Sequence, residues 1–109
     1  MTDYVEQRRS ERFACESPLM CSSLGGQAVY SARTVDHGAR GLSFITQTPL
    51  QSGTTIFFRA DTFAQKRFSG TTCKGMRGTG LARIRWCRSL EDQSPAAFRV
   101  GVEYLDPYP

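Results

Sequence analysis

From residue 13 onward, apolar and polar residues alternate along the chain. In Ala82-Arg83-Ile84-Arg85-Trp86 the apolar side chains are interleaved with arginines, and Phe98, Val100, Val102 and Tyr104 alternate with Arg99, Gly101 and Glu103. A period of two puts one set on a buried face and the other in water, which is the pattern of a half-buried β-strand. By that pattern Trp86 belongs to the core. Less regular runs cover residues 28–35, 42–46, 54–60 and 68–73, and a further run spans 13–22 around Pro18. They are broken at Leu24-Gly25-Gly26, residues 38–41, Ser52-Gly53, residues 75–80 and residues 91–95, all rich in turn-forming residues. The predicted fold class is all-β: a small antiparallel barrel of about six strands, because closure removes the edges that invite aggregation. Residues 61–66 read as a loop or a single helical turn. The final Pro107-Tyr108-Pro109 leads us to expect little or no C-terminal helix.

At 109 residues the chain accommodates one domain with a modest core. The first dozen residues are polar, so the expected organisation is a flexible arm over 1–12 followed by the barrel over 13–109. A formal charge of +4, from 14 basic and 10 acidic residues, favours an anionic partner but is mild beside dedicated nucleic-acid binders. No apolar run approaches the roughly 20 residues that cross a bilayer. The opening Met1-Thr2-Asp3-Tyr4-Val5-Glu6 has no basic-then-apolar signal pattern, and a cytoplasmic location is expected. The spacing of Cys15, Cys21, Cys73 and Cys87 does not resemble the C-x-x-C pairs of zinc modules, and there is one histidine. The cysteines therefore read as small buried hydrophobes with reduced thiols, and no metal or cofactor is expected.

Two polar clusters carry the candidate chemistry. Arg8-Arg9-Ser10-Glu11-Arg12 sets Arg8 and Arg12 four apart beside Arg9, so the three could fork onto phosphates and lay guanidinium planes against a purine. Asp36-His37-Gly38-Ala39-Arg40-Gly41 follows the first long strand-like run. A carboxylate at Asp36 can accept two hydrogen bonds from a donor edge such as that of guanine. Gly38 and Gly41 would let backbone approach a ligand closely, and Arg40 could add a phosphate contact. His37 reads as an exposed loop residue. Neighbours on an extended segment point to opposite faces, so it is badly placed to share an atom with Asp36. With no activated nucleophile identifiable, the chain is not expected to be an enzyme.

These clusters, R-x-x-x-R followed by a D-x-S-x-x-G-like run, resemble those of the PilZ domain, a bacterial receptor for the second messenger cyclic di-GMP. The resemblance continues through residues 48–56, 82–87 and 98–104, and so covers nearly the whole chain. Gly38 stands where the family usually has serine, which removes one hydroxyl contact. What the resemblance implies is a β-barrel of PilZ type with cyclic di-GMP bound by Arg8, Arg9, Arg12, Asp36, Gly38, Arg40 and Gly41. Nucleotide-driven ordering of the arginine arm would then change the surface shown to a protein partner as yet unidentified. The alternative within the family is a degenerate interaction domain that does not bind the nucleotide, and Gly38 favours it. A barrel for single-stranded nucleic acid is disfavoured, because the aromatics fall mainly on inward positions and no basic stripe is concentrated.

Overall fold

The alternation in the sequence becomes a wall of antiparallel strands, seen here in a computed structural model that describes residues 11–26, 28–61 and 75–105. The strands are β1 (Arg12–Ala14), β2 (Pro18–Ser23), β3 (Val29–Gly38), β4 (Gly41–Thr46), β5 (Thr55–Ala60), β6 (Thr79–Leu90) and β7 (Ala97–Tyr104). Six of them close a ring in the order β3-β2-β5-β6-β7-β4, sealed by β3 against β4. β1 is an extra strand, laid on β3 beyond the point where β2 leaves it. The fold is an all-β antiparallel barrel, and the described residues contain no helix. The run at 68–73 lies outside the described residues.

Inward positions of every ring strand meet in one core: Leu19, Cys21, Ala32, Leu42, Phe44, Ile56, Phe58, Ala82, Ile84, Val100 and Val102 are all buried. Burying each large aliphatic or phenyl side chain contributes about 1.5–3 kcal/mol. Partly buried Tyr104 stacks on Phe58 at a ring separation of 5.7 Å. Two tight turns need a left-handed residue and have glycine there, Gly25 at φ +83° between β2 and β3 and Gly53 at φ +94° before β5.

The predicted single run over 13–22 is two strands. Between them, at residues 15–17, the chain steps across β3 and is braced by the buried Thr34 hydroxyl. That hydroxyl donates to the Cys15 carbonyl (2.7 Å) and accepts from the Ser17 amide (2.8 Å). Backbone bonds from Cys15 to Val35 and from Thr34 to Ser17 hold either side of the step. Cys15 is disulfide-bonded, so the expectation of reduced thiols throughout does not hold. Cys21 and Cys87 are free, and burial pushes the Cys21 thiol up to about 12.

Two bulges overturn two sequence expectations. In β3–β4 the register passes from Thr34↔Phe44 to Asp36↔Ser43, leaving Val35 as the extra residue. In β6–β7 it passes from Ile84↔Val102 to Trp86↔Gly101, leaving Arg85 extra. An extra residue reverses the facing of everything beyond it. His37, expected in an exposed loop, is therefore a β3 residue only 5 % exposed, whereas Trp86, expected in the core, is outward and 37 % exposed. The expected turn at 38–41 shrinks to Ala39-Arg40, because β3 runs to Gly38 and β4 starts at Gly41.

Candidate nucleotide site

Beyond its bulge, β3 presents Asp36 on the outside of the barrel, opposite Ala14 of β1 on one side and Ser43 of β4 on the other. Ser43 faces Gly101 of β7, and Gly101 faces Trp86 of β6. A transverse row thus runs Ala14–Asp36–Ser43–Gly101–Trp86 across five strands. It carries a carboxylate toward its β1 end and an indole at its β6 end.

Asp36 is surrounded by donors. Arg12 Nη2 donates to Oδ1 at 2.7 Å, and the Ser43 hydroxyl donates to the same oxygen at 2.8 Å. Oδ2 has a longer contact, to Arg99 Nη2 at 3.5 Å, while Arg99 Nε is buried without a hydrogen-bond partner. Burial opposes ionisation of this carboxyl. The hydrogen bonds from Arg12 and Ser43 and the charges of Arg12 and Arg99 outweigh that effect and hold it below the ordinary carboxylate value. The result is a fixed anion inside a cationic rim, with one oxygen less fully engaged than the other.

At the other end of the row the Trp86 ring lies flat on the Gly101 backbone, and any side chain at 101 would collide with it. The Arg88 guanidinium caps the same ring, 4.8 Å from its centroid. Arg88 is also the cross-strand neighbour of Arg99. With Gly101 against one face and Arg88 over the other, the indole can take a stacked heterocycle where the Arg88 guanidinium moves aside.

On the buried side of the motif His37 lies beneath Phe13, with ring centroids 5.6 Å apart. Burial and the nearby Arg12 charge lower the His37 pKa against the opposing pull of Asp36, so its imidazole is neutral at pH 7. Phe13, His37, Gly38, Ala39, Arg77 and Tyr104 line an adjoining cleft, in which the Arg77 guanidinium sits 4.2 Å from the Tyr104 ring centre.

Of the residues expected from sequence, the structure brings Arg12, Asp36 and Gly41 together: Arg12 also reaches the Gly41 carbonyl at 3.5 Å. Gly41 itself is packed so tightly on the Val102 carbonyl of β7 that no side chain fits, so its first duty is strand packing. Gly38 faces Arg12 in the β1–β3 register without a positive φ, and a Cβ there would stand 2.7 Å from the Glu11 carbonyl oxygen. Arg40 is exposed at the turn tip, where its carbonyl accepts the Tyr104 amide. Arg8 and Arg9 lie outside the described residues. Ser43, Arg99, Trp86 and Arg88 were not singled out from the sequence as site residues, because only strand register sets the first two beside Asp36 and the other two on the same outer face. The alternating Arg99 and Gly101 of β7 were the one visible hint of an outward polar face.

No curated protein matches the chain. Among solved structures it is similar to the PilZ domain with c-di-GMP of YcgR from Escherichia coli, at a TM-score of 0.63 and 16 % sequence identity, over 94 % of this chain and 81 % of that one. That likeness is one of fold. The PilZ domain profile matches residues 6–108, and a match over nearly the full length, on a barrel of the same architecture, means that the chain belongs to the PilZ domain family.

Proposed function

We propose that this domain is a non-enzymatic receptor for cyclic di-GMP that passes the level of this second messenger to a protein partner. The observation that carries the reading is Asp36: an ionised carboxylate on the outside of the barrel, ringed by Arg12, Ser43 and Arg99 and aligned with Trp86. A guanine edge offers two donors to such an acceptor, and charge-assisted bonds of this kind contribute about 1.5–3 kcal/mol each. The base would take over the place that Arg12 now occupies on Oδ1 and release that guanidinium to a phosphate. Arg8 and Arg9 would add further forks, and Trp86 would supply a stacking plane. Closure of the arm, residues 1–12, over the nucleotide is then an exchange of ion-pair partners, and the change in exposed surface is what a partner reads. The YcgR domain solved with c-di-GMP supports the choice of ligand.

Glycine at 38 withholds one hydroxyl, worth about 0.5–1.5 kcal/mol, which lowers affinity without removing the main contacts. The second reading, an interaction domain without nucleotide binding, is favoured by one observation: the chain's own Arg12 and Ser43 already satisfy Asp36 Oδ1. Calorimetric titration with cyclic di-GMP, with GTP and cyclic AMP as controls, separates the two. Selective binding is expected, and no heat at high micromolar nucleotide establishes the second reading instead. Among the described residues no helix is long and apolar enough to cross a membrane.

A further inference from the structure

The wall of the barrel opposite β4 carries a second feature that the nucleotide site does not use. Ser22 of β2 is paired with Val29 on one side and Phe57 on the other, Phe57 is paired with Leu81, and the Leu105 amide bonds to the Leu81 carbonyl. Alternation turns all of these side chains outward, so Val29, Phe57, Leu81 and Leu105 form an apolar row, interrupted once by serine, across four strands and the residue that follows β7. Val29 is 59 % exposed, Phe57 42 % and Leu105 39 %. Leu24, 65 % exposed, adds apolar surface in the next row, where β2 leaves the sheet opposite Thr55. Scattered exposed apolar residues need no explanation, but a contiguous set does.

Two arginines border this row on opposite flanks. Arg59 lies two residues beyond Phe57 on β5 and faces Thr79, and Arg83 lies two residues beyond Leu81 on β6 and faces Thr55. Both are exposed and neither has a carboxylate partner among the described residues. Glu103, across from Arg83, is paired with Arg85 instead. The flanks therefore present uncompensated positive charge around an apolar centre. A second copy docked on the same face would bring arginines toward arginines. Phe57 is the one aromatic of the row, and aliphatic Val29, Leu81 and Leu105 around it offer no further planes on which successive bases could stack. The complement of this face is a protein segment with apolar residues at its centre and carboxylates at its ends.

We propose that the outer face centred on Phe57, between Arg59 and Arg83, is the docking surface for a partner segment that is apolar and flanked by Asp or Glu. It supplies the partner side of the receptor reading and rests on that reading for its regulation, but it shares no residue with the Asp36 site. The test is selection of a random displayed-peptide library on the full chain, counter-selected on Phe57→Ser. Enriched peptides are expected to combine aliphatic residues with flanking carboxylates. One such peptide should bind at least about tenfold more weakly to Phe57→Ser and to Arg59→Glu, which is about 1.4 kcal/mol. Its amide shift changes should map to Val29, Phe57 and Leu81. Enrichment that ignores Phe57, or that favours basic flanks, overturns the proposal. So does Phe57-dependent binding of phosphatidylserine vesicles, or Phe57-dependent dimerisation in sedimentation. Cyclic di-GMP titration of Phe57→Ser should match the unsubstituted chain. Peptide binding without any nucleotide binding retains this surface while removing the receptor reading.

Discussion

Arg12 on the extra strand and Asp36 on the barrel wall form a 2.7 Å ion pair, so β1 and the carboxylate that would read a base are held by each other. The pair is partly exposed, and its contribution to stability is correspondingly small. Its functional consequence is larger: a ligand that takes the carboxylate also frees the arginine. Arg12→Ala is expected to cost about 1.5–3 kcal/mol of cyclic di-GMP binding by calorimetry, whereas Arg83→Ala, on the opposite wall, should cost almost nothing. Equal losses at both positions would mean diffuse electrostatics and no site. Asp36→Asn should lose guanine selectivity as well as affinity, since an amide cannot accept twice from the donor edge.

Acid should weaken the fold in two windows. Asp36 is held below its ordinary value of 3.8, so the folded state resists its protonation, and its contribution is full above that value and lost as pH falls through the lower folded one. His37 is likewise held below 6.5, so stability declines as pH falls below 6.5, where the unfolded chain takes up a proton that the folded chain refuses. Urea denaturation across pH should show a milder decline just below 6.5 for His37→Gln, with the Asp36 window unchanged. An identical profile for His37→Gln would show that His37 is not coupled to folding.

Gly38→Ser is expected to lower the melting temperature. The obstacle is space: φ at Gly38 is not positive, but a Cβ would stand 2.7 Å from the Glu11 carbonyl and 3.1 Å from Arg12 Cδ, and β1 must shift to admit it. Overpacking of this kind costs about 1–3 kcal/mol. Because β1 carries Arg12, nucleotide affinity should fall too, and Gly38→Ala should reproduce both losses. Tighter binding at an unchanged melting temperature would show that β1 yields freely and that the serine hydroxyl was the missing contact.

Neighbouring phenylalanines on β5 should behave oppositely. Phe58 is fully buried, and Phe58→Ala should cost about 3–5 kcal/mol in denaturant unfolding. Phe57 is outward, and Phe57→Ala should stay within about 0.5 kcal/mol. Similar losses at both would contradict the facing of β5.

The chain has a single tryptophan, and it lies on the row that contains Asp36. Nucleotide binding should therefore change Trp86 fluorescence, and the change should disappear in Asp36→Asn at the same nucleotide concentration. Binding that calorimetry detects but Trp86 does not would confine the ligand to the β1–β3 side.

Alternation and turn chemistry in the sequence were enough to determine that this is a small all-β barrel. Residues such as Ile84, Val100 and Val102 declare their facing through their immediate neighbours, and glycines at positions such as Gly53 mark where the chain must reverse. The acidic and arginine motifs were legible for the same reason, since they are local strings. Tertiary structure alone decided what stands beside them. The bulges at Val35 and Arg85 reverse the facing of His37 and Trp86, and a bulge is set by pairing with a distant strand, which local alternation does not encode. Ser43 meets Asp36 across the β3–β4 hairpin only in the register that the Val35 bulge sets, and Arg99, 63 positions away, reaches it only because β4 pairs with β7. Gly38, in the string a gap in a motif, is in space the room that lets β1 dock.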